Sequence, residues 1–102
     1  LRGAGRAAPV LFAYEPVWAI GETGVAASPD YADRQQAGIK DVAQDILGRR
    51  IPCLYGGSVP PQTCADRIGC RNNDGLAIGR AAGTAEGYQG ILQRCAAALR
   101  GD

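Results

Sequence analysis

The sequence predicts an α/β chain built on a parallel sheet, and three observations support that fold class. Short apolar runs occur three times, at residues 10–14, 51–55 and 76–78. Each is bounded by proline, glycine or a turn cluster and is too short for a helix, so each reads as a strand; the first fits burial on both faces. Behind each run, apolar residues return at helical spacing. The resulting βα-βα-βα order joins parallel neighbours through helical crossovers.

Composition narrows the function classes. The 102 residues fit one domain, and 11 basic against 10 acidic residues leave a net charge of +1 with the charges scattered. Nothing in that pattern suits nucleic acid or a polyanionic surface. No apolar run approaches the roughly 18 residues of a membrane span, and Leu1-Arg2-Gly3-Ala4-Gly5-Arg6 lacks the apolar core of a signal peptide. The expectation is a soluble, cytoplasmic chain without nucleic-acid or membrane partners. Cys53, Cys64, Cys70 and Cys95 form no C-x-x-C pair and there is no histidine, which removes the usual zinc patterns. The thiols read as reduced small hydrophobes, with Cys53 in a strand and Cys95 on a helix's apolar face, and no metal is expected.

Residues 1–8 show no periodicity. The first strand ends at Tyr14, so Glu15 stands at its carboxyl end, the edge where α/β sheets bind ligands. Taken alone, such an acid is as readily explained by an ion pair with a nearby arginine or lysine. A loop follows from Pro16 to about Ala27, with a stiff Pro16-Val17-Trp18 entry and a looser Gly21-Glu22-Thr23-Gly24 exit, as in a lid. Trp18 and Ile20 make sense there if the loop packs down over something. Glu22 reads as solvated. Ser28-Pro29-Asp30 starts a helix with an N-cap, a first-position proline and an early acid. Ile39, Val42, Ala43, Ile46 and Leu47 form its buried stripe, and Gly48 ends it.

The second strand runs into Gly56-Gly57-Ser58. Such a turn allows close approach of backbone to a ligand and points amide hydrogens at an anion, although in isolation it is more often simply tight. Pro60 and Pro61 start a short helix carrying Cys64, Ala65 and Ile68 and ending at Gly69. Residues 71–75 form a turn cluster before the third strand. Gly79-Arg80-Ala81-Ala82 then looks like a single helical turn suited to negative charge. Thr84 and Glu86 open the last helix, with Tyr88, Ile91, Leu92, Cys95 and Leu99 on its buried face.

Three of these stretches carry a resemblance. Tyr14-Glu15-Pro16-Val17-Trp18-Ala19-Ile20-Gly21, Tyr55-Gly56-Gly57-Ser58-Val59 and Asp74-Gly75-Leu76-Ala77-Ile78-Gly79 resemble consecutive signatures of the triosephosphate isomerase family. That family folds as a (β/α)₈ barrel of about 250 residues. The resemblance therefore implies the C-terminal three βα units, strands six to eight, with residues 1–102 a partial barrel domain.

The resemblance also implies a chemistry. Glu15 would be the base that shuttles a proton between neighbouring carbons of a ketose and aldose phosphate through an enediolate, interconverting dihydroxyacetone phosphate and glyceraldehyde 3-phosphate. A free glutamate is a weak base, and a closing lid that excludes water strengthens it. Gly21, Gly57, Ser58, Gly79 and Arg80 would hold the phosphate. Pro16, Val17, Trp18, Ala19 and Ile20 would form the lid, with Tyr55 and Ser58 holding it closed. No cofactor is implied, and the full-length protein would be a homodimer acting on a small sugar phosphate.

Some positions depart from the family pattern. Its histidine electrophile and N-terminal Asn and Lys have no counterpart here, since the only lysine, Lys40, lies in a helix. The polypeptide alone is thus expected to lack appreciable isomerase activity. The lid exit is one residue longer than usual, and Arg80 stands where a second glycine is common. These features, with Ser28-Pro29-Asp30-Tyr31-Ala32-Asp33, resemble the branch acting on tetrulose (erythrulose) phosphates. A third reading is an inactive, truncated βα module whose open sheet edges and exposed apolar surface drive assembly.

Overall fold

The computed structural model describes residues 3–5, 7–19 and 27–101. Its elements alternate as the sequence predicts: β1 (Phe12–Tyr14), α1 (Pro29–Leu47), β2 (Cys53–Tyr55), α2 (Cys64–Ile68), β3 (Gly75–Leu76) and α3 (Ala85–Arg100), with 3₁₀ turns at Val17–Ala19 and Arg80–Ala82. The three strands form one parallel sheet in the order β1-β2-β3.

The helix starts follow from their caps. The Ser28 hydroxyl accepts the Tyr31 amide at 3.1 Å and that of Thr84 accepts the Gly87 amide at 3.0 Å, each satisfying a donor the first turn leaves open. Gly48 and Gly101 close α1 and α3 in the left-handed conformation, at φ 71° and 80°. The short helix begins at Cys64 and not at Pro60, because the Thr63 amide and hydroxyl both turn back to the Pro60 carbonyl and form a separate turn.

The central strand carries the core. Cys53 and Tyr55 are buried on one face of β2, and with Ala27, Ala32, Val59, Cys64 and Ile91 they build the packed interior. The outer strand departs from expectation. β1 is not buried on both faces: it pairs only with β2 among the described residues, and Leu11 and Ala13 are exposed. The helical stripes are likewise only half covered. Ala43 and Ile91 are buried, whereas Val42 (57 % exposed), Ile46 (75 %), Tyr88, Leu92 and Leu99 face outward. Three short strands offer too little sheet to cover both long helices.

Polar groups fix the amino end of the sheet. Asp74 accepts hydrogen bonds from Lys40 Nζ at 2.6 Å, Arg50 Nη2 at 2.7 Å and the Cys53 amide at 2.9 Å. Burial alone would raise this carboxyl's pKa, but the three donors outweigh it and hold the pKa at about 2. Asp74 thereby ties α1, β2 and the start of β3 together. The four cysteines are free; burial, and then the neighbouring Cys64 thiol, pushes Cys95 up to about 11.

Candidate active site

Strand register sets the geometry of the opposite edge. Tyr14 pairs with Tyr55 and Tyr55 with Leu76, so residues 15, 56 and 77 leave the sheet at one level. The Gly56 amide donates to the Tyr14 carbonyl and the Ala77 amide to that of Tyr55, both at 2.9 Å. All three candidate stretches thus emerge on the carboxyl side, where barrels of parallel strands place their chemistry.

Glu15 lies across the second of them. A Cβ built on Gly56 would fall 2.7 Å from Glu15 Cγ and 3.0 Å from Oε1, so the acid runs along the sheet edge in space that only glycine leaves. Among the described residues Glu15 makes no ion pair.

Beside it, the turns after β2 and β3 enclose a cavity of about 360 Å³. Gly57, Ser58, Gly79 and Arg80 all line it, with Pro60 and Ile78 supplying apolar wall. The 3₁₀ turn that follows Gly79 is held by Ala82 and Gly83 amides bonding to Gly79 and Arg80 carbonyls at 3.1 and 3.0 Å. A concave wall of glycine-rich backbone, with Arg80 among the residues that line it, is of a size to take a small anion.

The connection from Glu15 to α1 differs from the plain loop expected. Pro16 is buried and starts a 3₁₀ turn through Ala19. Val17 is 80 % exposed, and Trp18 keeps half its surface in water while its ring rests on Tyr31 of α1 at 5.8 Å. Neither side chain lines the cavity. Ile20 and Gly21 lie outside the described residues.

The far end of that connection is firmly held. The buried Tyr55 hydroxyl accepts the Ala27 amide at 3.3 Å, which ties the residue expected to secure the lid to the position where α1 begins. Its ring meets Tyr14 edge-on at 6.3 Å. Burial, followed by the nearby Tyr31, pushes the Tyr14 phenol above its ordinary value, so this tyrosine beside Glu15 stays neutral.

Sequence reasoning missed a buried polar chain beneath the site. Gln36 Nε2 donates to Asn73 Oδ1 at 3.0 Å, Asn73 Nδ2 donates to the Arg67 carbonyl at 3.1 Å, and Arg67 Nη2 donates to the Ala27 carbonyl. In the sequence Asn73 belongs to the turn cluster of residues 71–75, and nothing singles out Gln36 or Arg67. No local signal marks them: Gln36 shares its helix face with Asp33 and Lys40 as well as Ala32 and Ile39, and that pattern does not distinguish burial from exposure. Among the described residues no cluster of three or more His, Cys, Asp or Glu side chains is placed to hold a metal.

Comparison with known proteins bears on the family. The profile of the triosephosphate isomerase family matches residues 1–95. The chain is similar to the L-erythrulose-1-phosphate isomerase of Rhizobium rhizogenes (strain K84 / ATCC BAA-868), 60% identical over 102 residues, covering 100% of this chain and 39% of the relative. It is also 60% identical over 96 residues to the protein of that name from Brucella abortus biovar 1 (strain 9-941), covering 94% of this chain and 38% of the relative. The one from Mesorhizobium japonicum is 56% identical over 99 residues, covering 97% and 39%. This chain spans about two fifths of the length of these relatives. With parallel strands, glycine turns at their carboxyl edge and a family match over nearly its whole length, the chain belongs to the triosephosphate isomerase family.

Proposed function

We propose that this chain supplies the proton-transferring carboxylate and the phosphate site of an aldose-ketose isomerase acting on a tetrulose phosphate, L-erythrulose 1-phosphate. The carrying observation is the Glu15 side chain laid over Gly56, at the same sheet edge as the cavity of Gly57, Ser58, Gly79 and Arg80. The relatives' names favour the four-carbon substrate over dihydroxyacetone phosphate.

In this reading the phosphate occupies the glycine-lined cavity, which fixes the carbon chain beside Glu15. The carboxylate takes the proton from the hydroxyl-bearing carbon next to the carbonyl. The electron pair left behind moves into the carbonyl and forms an enediolate. Passage of the hydroxyl proton to the former carbonyl oxygen, with return of the carbon-bound proton to the former carbonyl carbon, completes the isomerisation and regenerates the carboxylate. The developing oxyanion needs fixed donors, and the sequence has no histidine to supply one. The proposal therefore assigns that group to the remainder of the intact protein, with strands β1 to β3 as barrel strands six to eight and a homodimer as the working form. Pro16 to Gly21 act as the lid, with Tyr55 and Ser58 as its latch.

The test is turnover of both substrates by the intact protein. A kcat/KM for L-erythrulose 1-phosphate at least tenfold above that for dihydroxyacetone phosphate is expected. The reverse ratio would restore the triose reading, and turnover of neither would end the proposal.

A further inference from the structure

A cation buried with unused donors needs an account, and Arg67 is one. The residue is 4 % exposed, and its guanidinium has its carbon 4.1 Å from the Tyr55 ring centroid and donates from Nη2 to the Ala27 carbonyl. Nε and Nη1 are buried without partners, and no carboxylate pairs with it among the described residues. Burial of this kind is costly for stability, and an apolar side chain of similar volume would serve the core as well or better.

What Arg67 touches is informative. Ala27 is gripped on both sides, its amide by the Tyr55 hydroxyl at 3.3 Å and its carbonyl by Arg67. The cation also lies against the face of that same tyrosine ring, fixing the ring whose hydroxyl does the gripping. Tyr55 is followed directly by Gly56, on which Glu15 rests. The Arg67 carbonyl is itself tethered by Asn73, which Gln36 holds. The cation is thus anchored from behind and presses on two parts of the site at once.

We infer that Arg67 is a positioning residue for the proposed reaction: it locks Ala27 and the Tyr55 ring into one arrangement and so fixes the end of the connection that begins at Glu15. It gives up stability for that placement. The inference rests on the isomerase reading for its kinetic consequence but not for its structural one.

The experiment is Arg67→Met in the intact protein, with Arg67→Lys beside it. Arg67→Met is expected to fold with an unchanged or raised Tm. The Ala27 amide is expected to exchange with solvent at least tenfold faster, and kcat to fall at least tenfold with KM changed less than threefold. Arg67→Lys, which keeps the charge and a donor, is expected to hold Ala27 exchange within threefold of the parent. Wild-type exchange and kcat in Arg67→Met would overturn the inference. So would an Arg67→Met chain that fails to fold, since the arginine would then serve stability alone. If the parent turns over no sugar phosphate, the isomerase reading fails while the exchange at Ala27 still decides the positioning role.

Discussion

At the scale of single residues, the proposed chemistry turns on two adjacent positions. Glu15→Gln keeps the shape and hydrogen-bonding reach of the side chain but cannot accept the substrate proton, so kcat of the intact protein is expected to fall by roughly 10²–10⁴-fold with little change in Tm. Steady-state kinetics and thermal melts on the same preparation check both halves. Gly56→Ala acts on the same acid from below. The new methyl would sit 2.7 Å from Glu15 Cγ, and because Glu15 is exposed it can swing away cheaply. Activity is therefore expected to drop at least tenfold while stability changes by less than about 1 kcal/mol. An unchanged kcat would show that the acid does not need its place over Gly56. The placement of Glu15 and the glycine turns at strand ends was legible in the sequence because three stretches in order resemble the signatures of one family, although neither the acid nor a glycine turn is decisive alone. Arg67, Gln36 and Asn73 were not, because a long polar side chain has the same letter whether it meets water or the core.

At the scale of elements, the two ends of the sheet have separate duties. Asp74 staples the amino end through Lys40, Arg50 and the Cys53 amide, far from the cavity at the other. Its carboxyl is held at about 2, below the ordinary carboxylate value of 3.8. A depressed folded-state pKa means the stabilisation is fully present above about pH 5 and is lost as pH falls toward 2. Allowing for its partial exposure, the contribution is about 1–2 kcal/mol, so Asp74→Asn should lower stability by that amount at pH 7 and by little at pH 2. Denaturant titrations at the two pH values check it. Strand, helix and cap positions were readable because proline, glycine and hydroxyl residues mark them locally. The Asp74 staple was not, since it joins residues 24 and 34 positions apart that only the fold brings together.

For the whole molecule, apolar periodicity predicted which helix faces are oily but not which are covered. Coverage depends on what packs against a face, and here Val42, Ile46, Leu92 and Leu99 remain exposed, while β1 pairs only with β2 among the described residues. Phe12, Ile39, Val42, Ala43, Ile46 and Leu47 line a shallow groove of about 720 Å³ between β1 and α1. The Cα radius of gyration, 14.4 Å, exceeds the roughly 13 Å of a compact chain this long, as expected when helices lack a full complement of neighbours. Water in contact with that surface is unfavourable at about 25 cal/mol per Å², and an unpaired parallel edge offers a template for further strands. The 102-residue polypeptide on its own is therefore expected to self-associate at micromolar concentration, and sedimentation velocity should show species larger than a monomer. Replacing Val42 and Ile46 with glutamate removes the apolar contact without touching the core, because both side chains already point to solvent. That pair should return the chain toward monomer with its helical content intact. A parent chain that stays monomeric across the micromolar range would mean that the exposed stripes are too small or too dispersed to drive assembly.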